Sequence, residues 1–344
     1  MLKYLFIYVV FINLVIAADY RVVKISEIPL AKDEYPDYTR IVAIGDVHGD
    51  YKKAKEALLL TGAFKTKNHQ WQWVGGNTKV IQLGDQLDRG PDGKKILELF
   101  SYLRVLAKQG GGEFIPLIGN HEYMNLSFNF KYAHEKDPFY NTEKALFSDH
   151  ELSDKMVSNK NRYCAETSRK NMCNAFRVGS YYRKILATQN VVVKVGGILF
   201  SHAGLVVLSS NPASLTEYNE AMRDWILLEN FKTEDAEEQD DIFLDYFHDK
   251  DDSPVWNRQY QYEKSNNEIK VPNCPLLEKS LNYYKAKLMI VGHNIVSKIS
   301  SFCGDKLWLI DVGMSKALFD NDVQVLEFVK GKPPKVLKKG ILGF

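Results

Sequence analysis

Three short apolar runs, each halted by a glycine and followed at once by a loop of Asp, His or Asn, constrain this chain more than any other feature. Val42–Ile44 runs into Gly45-Asp46-Val47-His48-Gly49-Asp50, Lys79–Leu83 into Gly84-Asp85-Gln86-Leu87-Asp88-Arg89-Gly90, and Phe114–Ile118 into Gly119-Asn120-His121-Glu122. Helical signals follow the first two loops. Asp50 stands where a cap would precede Tyr51–Leu60. Ile96, Leu99, Phe100, Leu103 and Leu106 recur at helical spacing within Asp92–Gln109, and Gly110-Gly111-Gly112 ends that pattern. Strand, polar loop and helix in repetition predict an α/β core with functional loops at the carboxyl ends of its strands.

The strand pattern returns at Val191–Val195, Ile198–Phe200, Leu288–Val291, Leu307–Ile310 and Val323–Phe328. Residues 127–187 are polar, aromatic and helical in pattern, and residues 206–275 carry the acidic stretch Glu234–Asp241; both read as insertions over the core. That acidic stretch reads as a solvated loop. Residues 36–330 are therefore expected to form one domain. The Lys-rich residues 331–344, with Pro333-Pro334, are expected to form a surface extension. Lys and Arg number 45 against 43 Asp and Glu, a net charge of +2, which argues against a basic nucleic-acid-binding surface.

The first residues read as a targeting segment. Lys3 supplies a positive charge, Tyr4–Ile16 is apolar except for Asn13, and Val15-Ile16-Ala17 offers a small residue at a cleavage position. That is the pattern of a secretory signal peptide over residues 1–17, and the run is shorter than the ~20 residues of a membrane span. The alternative is a retained anchor. Cleavage would leave a chain without a stable membrane span in a secretory lumen or outside the cell. Cys164, Cys173, Cys274 and Cys303 form no CxxC pair, so a thiolate zinc site is not expected. In an exported chain they read as two disulfides, with three pairings open, or as buried thiols. A Cys164–Cys173 bridge would brace the first insertion.

The strand-end loops hold the chemistry. Ser201-His202-Ala203-Gly204 and Gly292-His293-Asn294 complete the set, so four of the eight histidines directly follow apolar strands. Oxygen and imidazole donors without thiolates suit Mn, Fe or Zn in a catalytic site. GDVHGD, GDQLDRG, GNHE, HAGL and GHN, in this order, resemble the signature set of calcineurin-like metallophosphoesterases of the phosphoprotein phosphatase branch. GDQLDRG, GNHEYMN, SPVWNR and DVGMS are most similar to the Shewanella-like protein phosphatases.

The resemblance implies a β-sandwich flanked by helices, with helical cap insertions beside a two-metal site. It implies Asp46 and His48 as ligands of one metal, Asp85 as the bridge, and Asn120, His202 and His293 as ligands of the other. It further implies His121 as general acid oriented by Asp88, Arg89 and Arg258 as the phosphoryl grip, and a hydroxide bridging the metals as nucleophile. Hydrolysis of phosphomonoesters on proteins is the expected activity, on phosphotyrosine or on phosphoserine and phosphothreonine. Hydrolysis of dinucleoside polyphosphates or polyphosphate is the alternative within the same motif set. An inactive phosphoprotein binder is the alternative of another class, opposed by competent residues at all six ligand positions and at His121.

Other residues read more plainly. Asp50 reads as a cap, and Glu122 as a support for the ligands or a helix start. Asp311, Met314 and Ser315 either line the site or serve only a strand-to-turn transition. Tyr123, Tyr132, Tyr140, Tyr181 and Tyr182 read as packing, and His69, His134, His150 and His248 have no expected role.

Overall fold

Period-two alternation sorts the side chains of the central strands between two cores. The computed structural model describes residues 19–140, 170–208, 212–227, 247, 251–265 and 269–340. In β8 (Ile198–Ser201), Ile198 and Phe200 enter one apolar cluster and Leu199 the other. In β11 (Leu288–Val291), Ile290 takes the first side while Met289 and Val291 take the second. Successive side chains of a strand leave opposite faces, so one sheet builds an inter-sheet core and a helix-covered core at once.

Two mixed sheets face each other. One orders β1 (Glu34–Tyr35), β7 (Val192–Val195), β8, β11, β13 (Leu307–Leu309) and β12 (Ser300–Phe302). The other orders β15 (Lys335–Lys338), β14 (Gln324–Val329), β2 (Arg40–Ile44), β5 (Lys79–Gln82) and β6 (Glu113–Pro116). Ile41–Ile44 and Val80 of the second sheet share a cluster with Val193, Phe200 and Ile290 of the first, which is the β-sandwich expected. Two hairpins, β3 (Phe64–Lys67) with β4 (Gln70–Trp73) and β9 (Glu263–Lys264) with β10 (Ile269–Lys270), lie outside these sheets.

Helices cover both faces. Helix α1 (Tyr51–Leu60) starts at Asp50, whose carboxylate accepts the Lys53 N–H, as its sequence position suggested. Helix α2 (Gly93–Gln109) buries one face that includes Ile96, Leu99, Phe100 and Leu103. Its start is capped from afar, because the buried Asp137 carboxylate accepts the Gly93 N–H at 2.7 Å. Helix α3 (Asn120–Leu126) follows β6. Helices α4 (Lys170–Phe176), α5 (Tyr181–Ala187), α6 (Leu215–Leu227) and α7 (Cys274–Tyr283) belong to the outer cluster on the first sheet. The described helices of the insertions are thus a packed layer of the sandwich. Arg183 of α5 locks that layer, its buried guanidinium donating to carbonyls of Leu126, Phe176 and Ile226.

Both domain bounds shift. The fold begins before residue 36: β1 pairs parallel with β7, Val23 and Ile28 are buried, and Asp19 accepts from Tyr51 and Lys55. The Lys-rich end is not a separate extension, because Lys335–Lys338 pairs antiparallel with β14 as an edge strand. Val336 and Leu337 pack on the core while the flanking lysines are exposed, and charged ends keep an open edge from pairing with another chain. The signal-peptide residues 1–17, most of the acidic stretch's surroundings with Glu234–Asp241 itself, and Cys164 lie outside the described residues. Cys274 and Cys303 form a disulfide between α7 and the end of β12, with Cα atoms 5.4 Å apart. Cys173 is also disulfide-bonded.

Among the described residues, no helix is long and apolar enough to cross a membrane.

Candidate metal centre

Parallel strands deliver all the motif loops to one edge of the sandwich. β2, β5 and β6 run parallel in one sheet, and β8, β11 and β13 run parallel in the other, so the loops after them leave on the same side. Hydrogen bonds join the two sets of loops: His293 N–H donates to Asp46 Oδ2 at 3.0 Å, and His202 Nδ1–H donates to the Leu83 carbonyl at 2.7 Å. The backbone is bent hard here. His48, Asp85, Asp88, Arg89 and His293 all adopt left-handed conformations, with φ between 43° and 67°. Such non-glycine residues each carry strain of roughly 1–3 kcal/mol and gather at functional sites. Gly84, at φ +89°, is pressed against the following strand end, where a Cβ would stand 2.5 Å from the Gly119 nitrogen. Only glycine fits both demands.

Asp85 is the hub. One group of close donor atoms is His48, Asp85 and His121, and a second is Asp85, His202 and His293; all are buried. His48 Nε2 lies 3.5 Å from Asp85 Oδ2, and His202 Nε2 lies 3.3 Å from Asp85 Oδ1. Asn120 Oδ1 is 2.8 Å from His202 Nε2. Asp46 Oδ2 stands 4.0 Å from His48 Nε2. The second carboxylate atom, Asp46 Oδ1, is buried with no hydrogen-bond partner.

These residues fit a pair of cations. His202 Nδ1–H donates to the Leu83 carbonyl at 2.7 Å, which leaves the Nε2 lone pair facing Asp85 and Asn120. His293 Nε2–H is directed to the Trp256 carbonyl at 3.3 Å, leaving Nδ1 as its lone-pair atom. Burial holds the His48 imidazole down to about 3, helped by the neighbouring His121 and His202, and burial with His202 and Arg258 holds His293 well below its ordinary value. Neutral imidazoles are what metal ligation requires. The carboxyls show the converse need. Burial, then the charges of Asp311 and Asp85, push Asp46 well above the carboxylate range, and burial with Asp85 pushes Asp311 up to about 6. Asp85 stays well below that range despite its burial, because His202 and His121 face it. Three carboxyls buried together, one with an orphaned oxygen, call for positive charge between them.

Beside this cluster stands an acid–base pair. His121 Nδ1 lies 2.7 Å from Asp88 Oδ2, and Asn125 Nδ2 donates to the other Asp88 oxygen at 2.8 Å. Burial disfavours the His121 imidazolium, but Asp85 and Asp88 outweigh it and raise its pKa. His121 Nε2 is free of Asp88 and 3.8 Å from Asp85 Oδ2. Arg89 and Arg258 are held by different neighbours. The Arg89 guanidinium lies 3.8 Å over the Tyr132 ring, and its backbone N–H donates to the Tyr132 carbonyl. Arg258 donates to the His293 carbonyl at 2.8 Å and to Asn294 Oδ1 at 3.2 Å. The structure therefore brings all ten sequence-predicted site residues together.

A model of the calcineurin-like phosphoesterases matches residues 39–297, about three quarters of the chain. The chain belongs to this family. Members of the calcineurin-like phosphoesterases are hydrolases built on a two-metal centre, and the clusters around Asp85 are the corresponding candidate in this chain. The chain is 31% identical over 325 residues to Shewanella-like protein phosphatase 2 of Arabidopsis thaliana, covering 88% of itself and 78% of that relative. It is 29% identical over 289 residues to Shewanella-like protein phosphatase 1 of Plasmodium berghei, covering 82% and 68%. A solved cold-active protein tyrosine phosphatase shares its fold, with a TM-score of 0.66 at 18% identity over 92% of this chain and 85% of that one.

Five further residues hold the site together: Asn125 had no expected role, Tyr132 was read as packing, and Glu122, Asp311 and Ser315 had support of the site as one of two readings. Glu122 accepts backbone N–H groups from Asp85, Gln86, Leu87 and Gly119 at 2.8–3.0 Å, and so clamps the loop after β5 onto the loop after β6. Burial and the Asp85 charge push its carboxyl up to about 7 against those four donors. Tyr132, expected only to pack, carries Arg89. Asn125 holds Asp88, and Asp311 faces Asp46. Ser315 donates to the His48 carbonyl at 3.3 Å, so the turn after β13 supports the site.

Proposed function

We propose that the chain hydrolyses phosphomonoesters carried by proteins, phosphotyrosine or phosphoserine and phosphothreonine, with His121 as the proton donor to the leaving oxygen. The observation that carries this reading is the His121–Asp88 pair set against the Asp85 clusters, with Arg89 held at Tyr132 and Arg258 at His293. Two transition-metal cations (Mn, Fe or Zn) held by Asp46, His48, Asp85, Asn120, His202 and His293 would supply Lewis acidity and charge neutralisation for displacement at phosphorus. Asp88 fixes the His121 ring through Nδ1 and leaves Nε2 to deliver the proton. Tyr132 holds the Arg89 guanidinium over its ring, and the His293 carbonyl anchors Arg258 by one nitrogen, so each retains N–H groups for phosphoryl oxygens. The names of the Arabidopsis and Plasmodium relatives support a protein substrate.

Turnover of a phosphotyrosine peptide, a phosphoserine peptide, diadenosine tetraphosphate and polyphosphate, measured side by side, tests the reading. Phosphopeptide kcat/KM exceeding that for both anhydrides, and loss of turnover on chelation and dialysis with recovery on adding Mn, is the expected result. Faster hydrolysis of either anhydride overturns it.

Export into a secretory lumen is proposed with it, supported by the pattern of residues 1–17 and by the Cys274–Cys303 bridge, since such bonds persist in oxidising compartments. Amino-terminal sequencing of the protein from its native compartment should begin within a residue or two of Ala18. Intact Met1 on a membrane-bound form would overturn cleavage.

A further inference from the structure

An open groove of about 610 Å³ is lined by Arg258 and Gln259, by β10 with Val271, and by the first turn of α7. Its hairpin wall carries Ile269 and Val271, 57% and 66% exposed. They are two positions apart, so in extended chain they share a face while Lys270 takes the other. β10 pairs with β9 through Ile269 with Lys264 and Lys270 with Glu263, and among the described residues no strand pairs with its other edge. The wall is braced from behind. Asn273 N–H donates to the Gln259 carbonyl at 2.9 Å, the Asn273 side chain caps α7, and Cys274 is bonded to Cys303.

We propose that this groove binds the polypeptide flanking the phosphorylated residue, as an extended segment laid along β10 with apolar side chains against Ile269 and Val271. The inference rests on the phosphoprotein reading and deepens it. Continuity is the argument for the occupant: Arg258 belongs both to the phosphoryl site and to the groove lining, so a chain whose phosphate is held there must leave over an adjoining surface. A free strand edge offers main-chain hydrogen bonds that do not depend on sequence, and alternate side-chain positions supply selectivity. Two branched apolar side chains left uncovered on a braced wall are suited to the second task.

The test uses nine-residue phosphopeptides with Val or with Asp placed two residues before or two residues after the phosphorylated position, and para-nitrophenyl phosphate as the ester without flanks. The wild-type protein should favour the Val-flanked peptide on at least one side by about tenfold in kcat/KM, the scale of a well-placed apolar contact at an interface. Ile269→Asp with Val271→Asp should abolish that preference while para-nitrophenyl phosphate turnover stays within twofold of wild type. Ile269→Lys should shift the preference toward the Asp-flanked peptide, a gain that damaged folding would not produce. Unchanged peptide selectivity in both variants, or an equal fall on peptides and on the small ester, overturns the groove assignment. Failure of the phosphoprotein reading looks different: the wild type then hydrolyses diadenosine tetraphosphate faster than every peptide.

Discussion

Glu122→Gln removes charge and one acceptor atom from a carboxylate that holds two catalytic loops together. In the wild type, Oε1 accepts the N–H groups of Gln86 and Leu87, and Oε2 accepts those of Asp85 and Gly119. A glutamine oxygen can keep one of these pairs. Its NH2 group then points at the other pair, leaving two buried donors unmatched. Each unmatched buried donor costs ~1–3 kcal/mol, so the variant should be less stable by about 2–6 kcal/mol. At ~2.1 cal/mol/K of unfolding entropy per residue, a two-state chain of 344 residues would melt about 3–8 °C lower. The loss should also reach the metals, because Asp85 N–H is one of the four donors and Asp85 sits at φ 52°. Denaturant unfolding and metal titration by calorimetry, both at pH 8 where the Glu122 carboxyl is ionised, read the two effects. A variant within 1 kcal/mol of wild type, with unchanged metal affinity, would refute the clamp.

Three further outcomes follow from single contacts. His121→Asn should slow phosphoserine hydrolysis by about 10²–10⁴-fold but an activated aryl ester far less, whereas Arg89→Ala should slow both alike; equal loss on both esters in His121→Asn, at unchanged metal content, removes its role as acid. Replacing Cys274 and Cys303 by Ala should cost about 3.5 kcal/mol, from the loop entropy of a 29-residue separation; a denaturation difference below 1 kcal/mol would show that the bridge adds little. Burial pushes Asp137 up to about 7 against an unfolded value near 3.8, so the native state binds more protons between those limits and this group's contribution to stability falls as pH rises through them. Carboxyl NMR should find Asp137 titrating near 7, and ionisation complete by pH 5 would contradict it.

The chemistry-bearing residues were legible because their signal is local. A glycine after an apolar run, followed within a few positions by Asp46 and His48, by Asp85 and Asp88, or by Asn120 and His121, marks a strand end whatever the rest of the chain does. The same locality made the α1 cap at Asp50 readable. The chain ends were misread because sheet pairing is not local. Glu34–Tyr35 finds its partner 160 residues away in β7, and Lys335–Lys338 looks like a charged tail until β14 stands beside it.

By itself the sequence marked the strand-end loops that carry Asp, His and Asn, and the resemblance of its motifs to a known family joined those loops and Arg258 into one site. Only the tertiary structure decided how those side chains are held. Glu122 clamps residues 35–37 positions away, Tyr132 supports Arg89, Asp311 presses on Asp46, and His293 donates to Asp46 across 247 positions. Such contacts follow no periodicity that a chain segment could display. They arise when two sheets close on each other, and the burial that closure imposes is what keeps His48 and His293 neutral and makes the carboxyl cluster a place for cations.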